Sequence, residues 1–198
     1  MLPLEIMRLV YVDPHPVPDP CPEAMQILQT VDALAQVGCE VILATPKPRS
    51  GCRAEDILGR QIHPGVCFRH LQDLRSYRWL PLRSGRLFYR AACQLVSTLE
   101  GVDGILVRNL KLAEALMAVP NRPILVFETH EVFARTFAED HPHPGWKDRR
   151  KLATLRRREG NVYVRSDGIA ALTQWLVDDL REDYGVSTPA IVVPDGVD

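Results

Sequence analysis

Glycine is absent from the first 37 residues of this 198-residue chain, and that absence removes one class of function. A dinucleotide-binding fold carries a G-x-G-x-x-G turn after its first strand, because only glycine lets backbone amides close on a pyrophosphate. Here proline holds every second position instead, at Pro14, Pro16, Pro18, Pro20 and Pro22. Each ring fixes φ and removes an N–H donor, so the segment is predicted to be extended and stiff and not a phosphate cradle of the usual sort. Long apolar runs are missing as well. No stretch reaches the roughly 20 residues of a membrane span, and the opening MLPLEIMRLVYVD has no basic stretch ahead of it for a signal peptide. It reads as a first strand. Cys21, Cys39, Cys52, Cys67 and Cys93 are odd in number and contain no Cys-x-x-Cys pair, which points to a reduced, cytoplasmic setting; Cys67 lies inside a predicted strand, where a thiol behaves as a small apolar group. Charge of one sign is lacking in bulk. A formal net charge of -1 and a hydrophobic content of 46% exclude a disordered chain and any global pull toward nucleic acid or membrane.

What is present is a regular alternation. Strand-like runs recur as LEIMRLVYV, EVILAT, VCFRHL, GILVRN, ILVFET, GIAAL and AIVV, rich in Val, Ile and Leu with little alternation, as expected of strands covered on both faces. Helices are predicted between them, at about residues 23–37, 85–99, 111–119, 146–163 and 174–184. The first places Ala24, Ile27, Leu28, Val31, Leu34 and Ala35 on one stripe and is stopped by Gly38. Strand-helix alternation of this kind predicts one α/β domain, a doubly wound parallel sheet of Rossmann-like form over residues 1–198. In such sheets ligands lie beyond the carboxyl ends of the strands. That rule nominates Asp13 and His15 after the first strand, Arg108 after GILV, Glu128 and His130 at the end of ILVF, and Thr173 after GIAAL, all on one rim. Glu23 belongs to the first turn of the first helix, where a negative side chain is favoured; it can also hold sugar hydroxyls at a cleft edge.

Charge is uneven along the chain. The run LRSYRWLPLRSGRLFYR interleaves Arg75, Arg78, Arg83, Arg86 and Arg90 with Tyr77, Trp79, Phe88 and Tyr89 and contains no acid, which suits an anionic membrane surface as well as it suits a solvated loop and core helix. WKDRRKLATLRRREG reads as a helix with charge all round it, so a solvated helix or an anionic acceptor rim is favoured over nucleic acid. His141 and His143 flank a proline in a turn, and no metal site is predicted.

Four stretches in order carry a resemblance: AMQILQTVDALAQVGCEVILATP, VDGILVRN, ILVFETHEVF and DGIAALTQWLVDDLREDYGVSTPAIVVPDGVD. They resemble the N-terminal domain of family 4 glycosyltransferases, matching its "GHEV", "D.I..R", "VYE.HD" and "IPNGVD" passages, although Cys39 replaces the usual His and the glycines of the first loop are absent. The resemblance implies half of a GT-B architecture, with residues 194–198 at the hinge to a C-terminal donor-binding domain on the same or a separate chain. It implies a retaining transfer from a nucleotide sugar to a sugar or lipid-linked acceptor bound on this side, with His130 and Glu128 near the reacting sugar and Asp13, His15, Glu23, Arg108 and Thr173 lining the acceptor cleft. No cofactor is expected in this chain. Glu131 and Glu139 have the Glu-x7-Glu spacing of the family's donor half but sit on a short helix without its accompanying glycines. Little transferase activity is therefore expected of the chain alone, a peripheral position at the inner membrane face is one expected location, and a non-enzymatic module binding a sugar, anionic lipid or protein is the alternative reading.

Overall fold

The computed structural model describes residues 6–74 and 85–194. Within them the elements run β1 Arg8–Val12, α1 Pro22–Gln36, β2 Glu40–Pro46, α2 Ala54–Leu58, β3 Val66–Leu71, α3 Arg86–Thr98, β4 Gly104–Val107, α4 Leu110–Leu116, β5 Ile124–Thr129, α5 Phe133–Asp140, α6 Trp146–Arg165, β6 Gly168–Ala171, α7 Gln174–Tyr184 and β7 Ala190–Val192. All strand pairs are parallel, in the order β3-β2-β1-β4-β5-β6-β7. This is the expected Rossmann-like, doubly wound sheet. The order reverses between β1 and β4, and that is where the crevice of such a sheet opens.

The sheet has two unlike faces. On one, α1 and α2 bury Ala24, Ile27, Leu28, Val31 and Ala35 against Tyr11, Val41 and Leu43. On the other, α3, α4, α6 and α7 close a larger core around Val10, Val12, Ile105, Val107, Leu125 and Phe127. The predicted covering of both faces holds at the centre and fails at the edges: β3 leaves Cys67 exposed, and β7 leaves Ile191 62% exposed. An edge strand has a neighbour on one side only, so fewer elements pack over it. All five cysteines are unpaired.

Two Asp-Gly pairs stitch the sheet at the strands' amino ends. Asp103 accepts a hydrogen bond from the Arg8 amide at 2.7 Å, and Asp167 accepts one from the Leu125 amide at 2.7 Å. At Gly104 a Cβ would press on Leu9 Cδ2 at 3.2 Å, whereas at Gly168 it would make an ordinary contact with Val126. Gly38 closes α1 with φ of +98°, as its place after the apolar stripe predicted.

The proline-rich segment differs from expectation. It is a succession of bends, and Val17 within it is fully buried in the α1-side core. Asp19 Oδ1 accepts from the Arg49 and Ser50 amides at 3.0 and 2.8 Å and from Ser50 Oγ at 2.7 Å, pulling the segment against the loop after β2. Burial and these bonds override the extended preference of isolated prolines. Pro22 nevertheless opens α1 as predicted.

Candidate active site

Side chains alternate along a strand, so phase decides which of them meet. Val10 and Val12 of β1, Ile105 and Val107 of β4, and Leu125 and Phe127 of β5 all enter the larger core. The intervening phase sends Tyr11, Asp13, Arg108, Glu128 and His130 to the α1 side, at the carboxyl rim beside the switch point. Hydrogen bonds join them. The Tyr11 hydroxyl donates to Glu128 Oε2 at 2.7 Å, and the other carboxylate oxygen, Oε1, lies 2.7 Å from His130 Nε2. Arg108 Nη1 donates to Gln26 Oε1 at 2.9 Å, and Gln26 Nε2 lies 3.3 Å from His130 Nδ1. Because the arginine claims the amide oxygen, Gln26 presents its NH2 to His130. Nδ1 is then the acceptor and Nε2 carries the proton toward Glu128.

Asp13 anchors a second branch. Its fully buried carboxylate accepts at Oδ1 from the His15 amide at 2.8 Å and lies 2.7 Å from His15 Nδ1, while Oδ2 has no hydrogen bond but sits 3.4 Å from Arg108 Nε. The hydrogen bond to Asp13 raises the His15 pKa, against the opposing effect of burial. Burial pushes the Glu128 carboxyl up, but the bonds from His130 and Tyr11 outweigh it and hold the group below its ordinary value. Burial, reinforced by the nearby carboxylates, drives the Tyr11 phenol well above 10.0.

A cavity of about 280 Å³ opens over this network, and Asp13, His15, Glu23, Arg108, Glu128 and His130 line it together with Asn109, Glu131 and Phe133. Six of the sequence-nominated residues are thus brought together. Thr173 is not among the lining. It shares the phase of Ile169 and Ala171, which serve the larger core, and it caps α7 by accepting from the Leu176 amide at 3.1 Å. Arg86 is exposed at the start of α3, while Arg75, Arg78, Trp79 and Arg83 lie outside the described residues. Among the described residues no group of three His, Cys, Asp or Glu could hold a metal ion, and no helix is long and apolar enough to cross a membrane.

Sequence reasoning missed two residues that build the site. Gln26, one turn into α1, is the link between Arg108 and His130. Its signal was a polar side chain in the first turns of a helix that begins at the rim. Glu159 is the other. Fully buried in α6, it accepts from the Phe133 and Ala134 amides at 2.8 and 2.9 Å and from Tyr184 at 2.7 Å, fixing the start of α5 and with it the cavity wall.

A Rossmann-like sheet with a polar crevice at its switch point is consistent in fold with the N-terminal half of a GT-B glycosyltransferase. The sequence matches the Glycosyltransferase Family 4 profile over residues 24–198, and the chain belongs to that family. Sucrose-phosphate synthase from Thermosynechococcus elongatus superposes with a TM-score of 0.68 at 14% identity, over 97% of this chain and 49% of that one. Phytolacca americana UGT2, complexed with UDP-2fluoro-glucose and pterostilbene, gives 0.62 at 13% identity, over 97% and 53%. Anabaena HepE, in complex with UDP and glucose, gives 0.56 at 15% identity, over 97% and 45%. The chain spans about half the length of these proteins. Such identities speak for the fold, while the profile match carries the family. No curated protein matches the chain by sequence.

Proposed function

We propose that this domain is the acceptor-binding side of a retaining glycosyltransferase, facing a C-terminal donor-binding domain that holds a nucleotide sugar. The observation that carries the proposal is the chain of hydrogen bonds from Arg108 through Gln26, His130 and Glu128 to Tyr11 under a polar cavity at the switch point. In it the short bonds fix His130 and the long one yields. Glu128 holds Nε2–H, and the 3.3 Å contact from Gln26 is the weakest link, so a sugar hydroxyl entering the cleft takes its place as donor to Nδ1. Arg108, held by Gln26 and Asp13, presents its remaining N–H groups to an anionic acceptor or leaving-group oxygen. Asp13 is spoken for by His15 and Arg108, so its role is to position them, while the exposed Glu23 accepts from acceptor hydroxyls at the cavity edge. Thr173 positions α7. No cofactor is expected in this chain, and stabilisation of the diphosphate is assigned to the donor half. The expected setting is cytoplasmic; of the expected hinge, residues 194–198, all but Pro194 lie outside the described residues.

The test is a transfer assay over a panel of nucleotide sugars, run on the domain alone and with a donor-binding domain supplied. Product only in the combined reaction is expected. Turnover by the domain alone, or undiminished turnover of the combined reaction with His130→Ala, contradicts the proposal. Binding of a saccharide without transfer in any combination selects the non-enzymatic module instead.

A further inference from the structure

The long helix α6 carries a second site that the transfer reading does not use. Its residues Lys147, Arg150, Lys151, Thr154, Leu155 and Arg158 stand at i, i+3, i+4, i+7, i+8 and i+11 and so share one stripe. With Lys111 of α4 and Trp146 they line a groove of about 580 Å³. The helix is 20 residues long, roughly 30 Å at 1.5 Å per residue, so its first turns reach the carboxyl rim of the much shorter strands. Asn109 lines the switch-point cavity and Lys111 lines this groove, which makes the start of α4 the wall between them.

The charges in the groove are not balanced from within. Arg158 pairs with Glu114 at 2.7 Å, but among the described residues Lys111, Lys147, Arg150 and Lys151 make no salt bridge. Lys151 is held 4.3 Å over the Phe137 ring, which orients its ammonium without neutralising it. Trp146 stands 65% exposed at the mouth. The sequence allowed an anionic rim on this helix but read its charge as all round; the structure gathers part of it on one stripe. Arg149, Arg156, Arg157 and Arg165 do lie off the stripe, whereas Lys147, Arg150, Lys151 and Arg158 line the groove beside α4.

Four cations without carboxylates around one groove call for a ligand that brings several negative charges together. A lone carboxylate is too little. We propose that the α4–α6 groove binds a phosphate-bearing group, pyrophosphate-like in charge, either at the head of an anionic lipid or on a soluble ligand. The guanidinium of Arg150 takes phosphate oxygens in fork geometry, the lysines supply point charges, and the Trp146 ring covers the adjoining apolar or headgroup surface. This binding requires no donor domain and does not depend on the transfer reading.

The test has two arms, calorimetric titration with pyrophosphate and flotation with phosphatidylglycerol against phosphatidylcholine vesicles, each at low and high salt. Saturable binding in at least one arm, weakened by salt and reduced roughly 100-fold by the K147E/R150E/K151E variant, is expected, since each surface cation contributes about one factor of five. Pyrophosphate alone identifies a soluble ligand, and vesicles alone identify a membrane headgroup with a blue-shifted Trp146 emission in a W79F/W175F background. K111E, on the other helix, guards against misfolding of the triple variant and is expected to weaken binding about fivefold. No binding in either arm, or binding that both variants leave unchanged, overturns the proposal.

Discussion

The switch-point cavity and the α4–α6 groove are both lined by charged residues and both touch the start of α4, yet they are built in opposite ways. In the cavity nearly every charged group already has a partner: Arg108 is shared between Asp13 and Gln26, and Glu128 between Tyr11 and His130. In the groove the cations outnumber their partners. The first arrangement fixes geometry before a ligand arrives, which serves chemistry. The second stores attraction for a ligand to come and tolerates imprecise placement. Substitutions therefore act differently in the two places, through rate and stability in one and through affinity in the other.

The largest contrast concerns turnover. With a donor domain supplied, His130→Ala is expected to lower kcat by about 10²–10³-fold, as loss of a group that stabilises developing charge does. Arg150→Ala is expected to leave kcat within about twofold. A kcat loss of similar size in both variants removes the distinction. Next comes stability. Glu159→Ala leaves two amides and the Tyr184 hydroxyl without their acceptor in the wall of the cavity, at a cost of about 3 kcal/mol or more. Tyr11→Phe strips one bond from Glu128 and costs about 1–3 kcal/mol. Lys147→Ala, exposed in the groove, stays within about 0.5 kcal/mol. Urea denaturation of the variants ranks them.

The pH dependence sharpens the comparison further. Glu128 has a depressed folded pKa, so its contribution is present above the ordinary carboxylate value of 4.5 and is lost as pH falls through the folded value. Glu128→Gln is expected to flatten the acid limb of the stability curve. Glu159 has the reverse sign: burial raises its folded pKa, so stability declines as pH rises from 4.5 toward that value. The smallest effect is that of His15. Its pKa is raised above 6.5, its contribution is complete below 6.5, and it fades as pH climbs through the folded value. His15→Gln should remove a shallow alkaline slope, visible in thermal melts near neutrality, whereas variants of the exposed groove cations should leave both limbs unchanged.

Much of this architecture could be read from residues in a row. The seven strands announced themselves as branched apolar runs, and the carboxyl-end rule collected Asp13, His15, Arg108, Glu128 and His130 on one rim, where the structure places them. Thr173 obeyed the rule for strand ends but took the other phase, a distinction that needs the core assignment of Ile169 and Ala171. Helix α2, five residues long, has too short a pattern to stand out, and the bends of the proline segment depend on Val17 and Asp19 meeting distant partners. Gln26 and Glu159 were invisible for a like reason: each works by contacts tens of residues away, to Arg108 and to the start of α5. The groove escaped because its stripe becomes a site only when Lys111 of α4 lies alongside.

The claim on which the cavity's chemistry rests is that Arg108, acting through Gln26, sets the His130 tautomer, with the proton on Nε2 toward Glu128 and Nδ1 as the acceptor. Long-range ¹H–¹⁵N correlation of the histidine ring, recorded on the domain above neutral pH and on Gln26→Leu, reads this directly. A single Nε2–H form that gives way to a tautomer mixture in the variant is the predicted result. A proton on Nδ1 in the unaltered domain, or an identical ring spectrum in the variant, would contradict it.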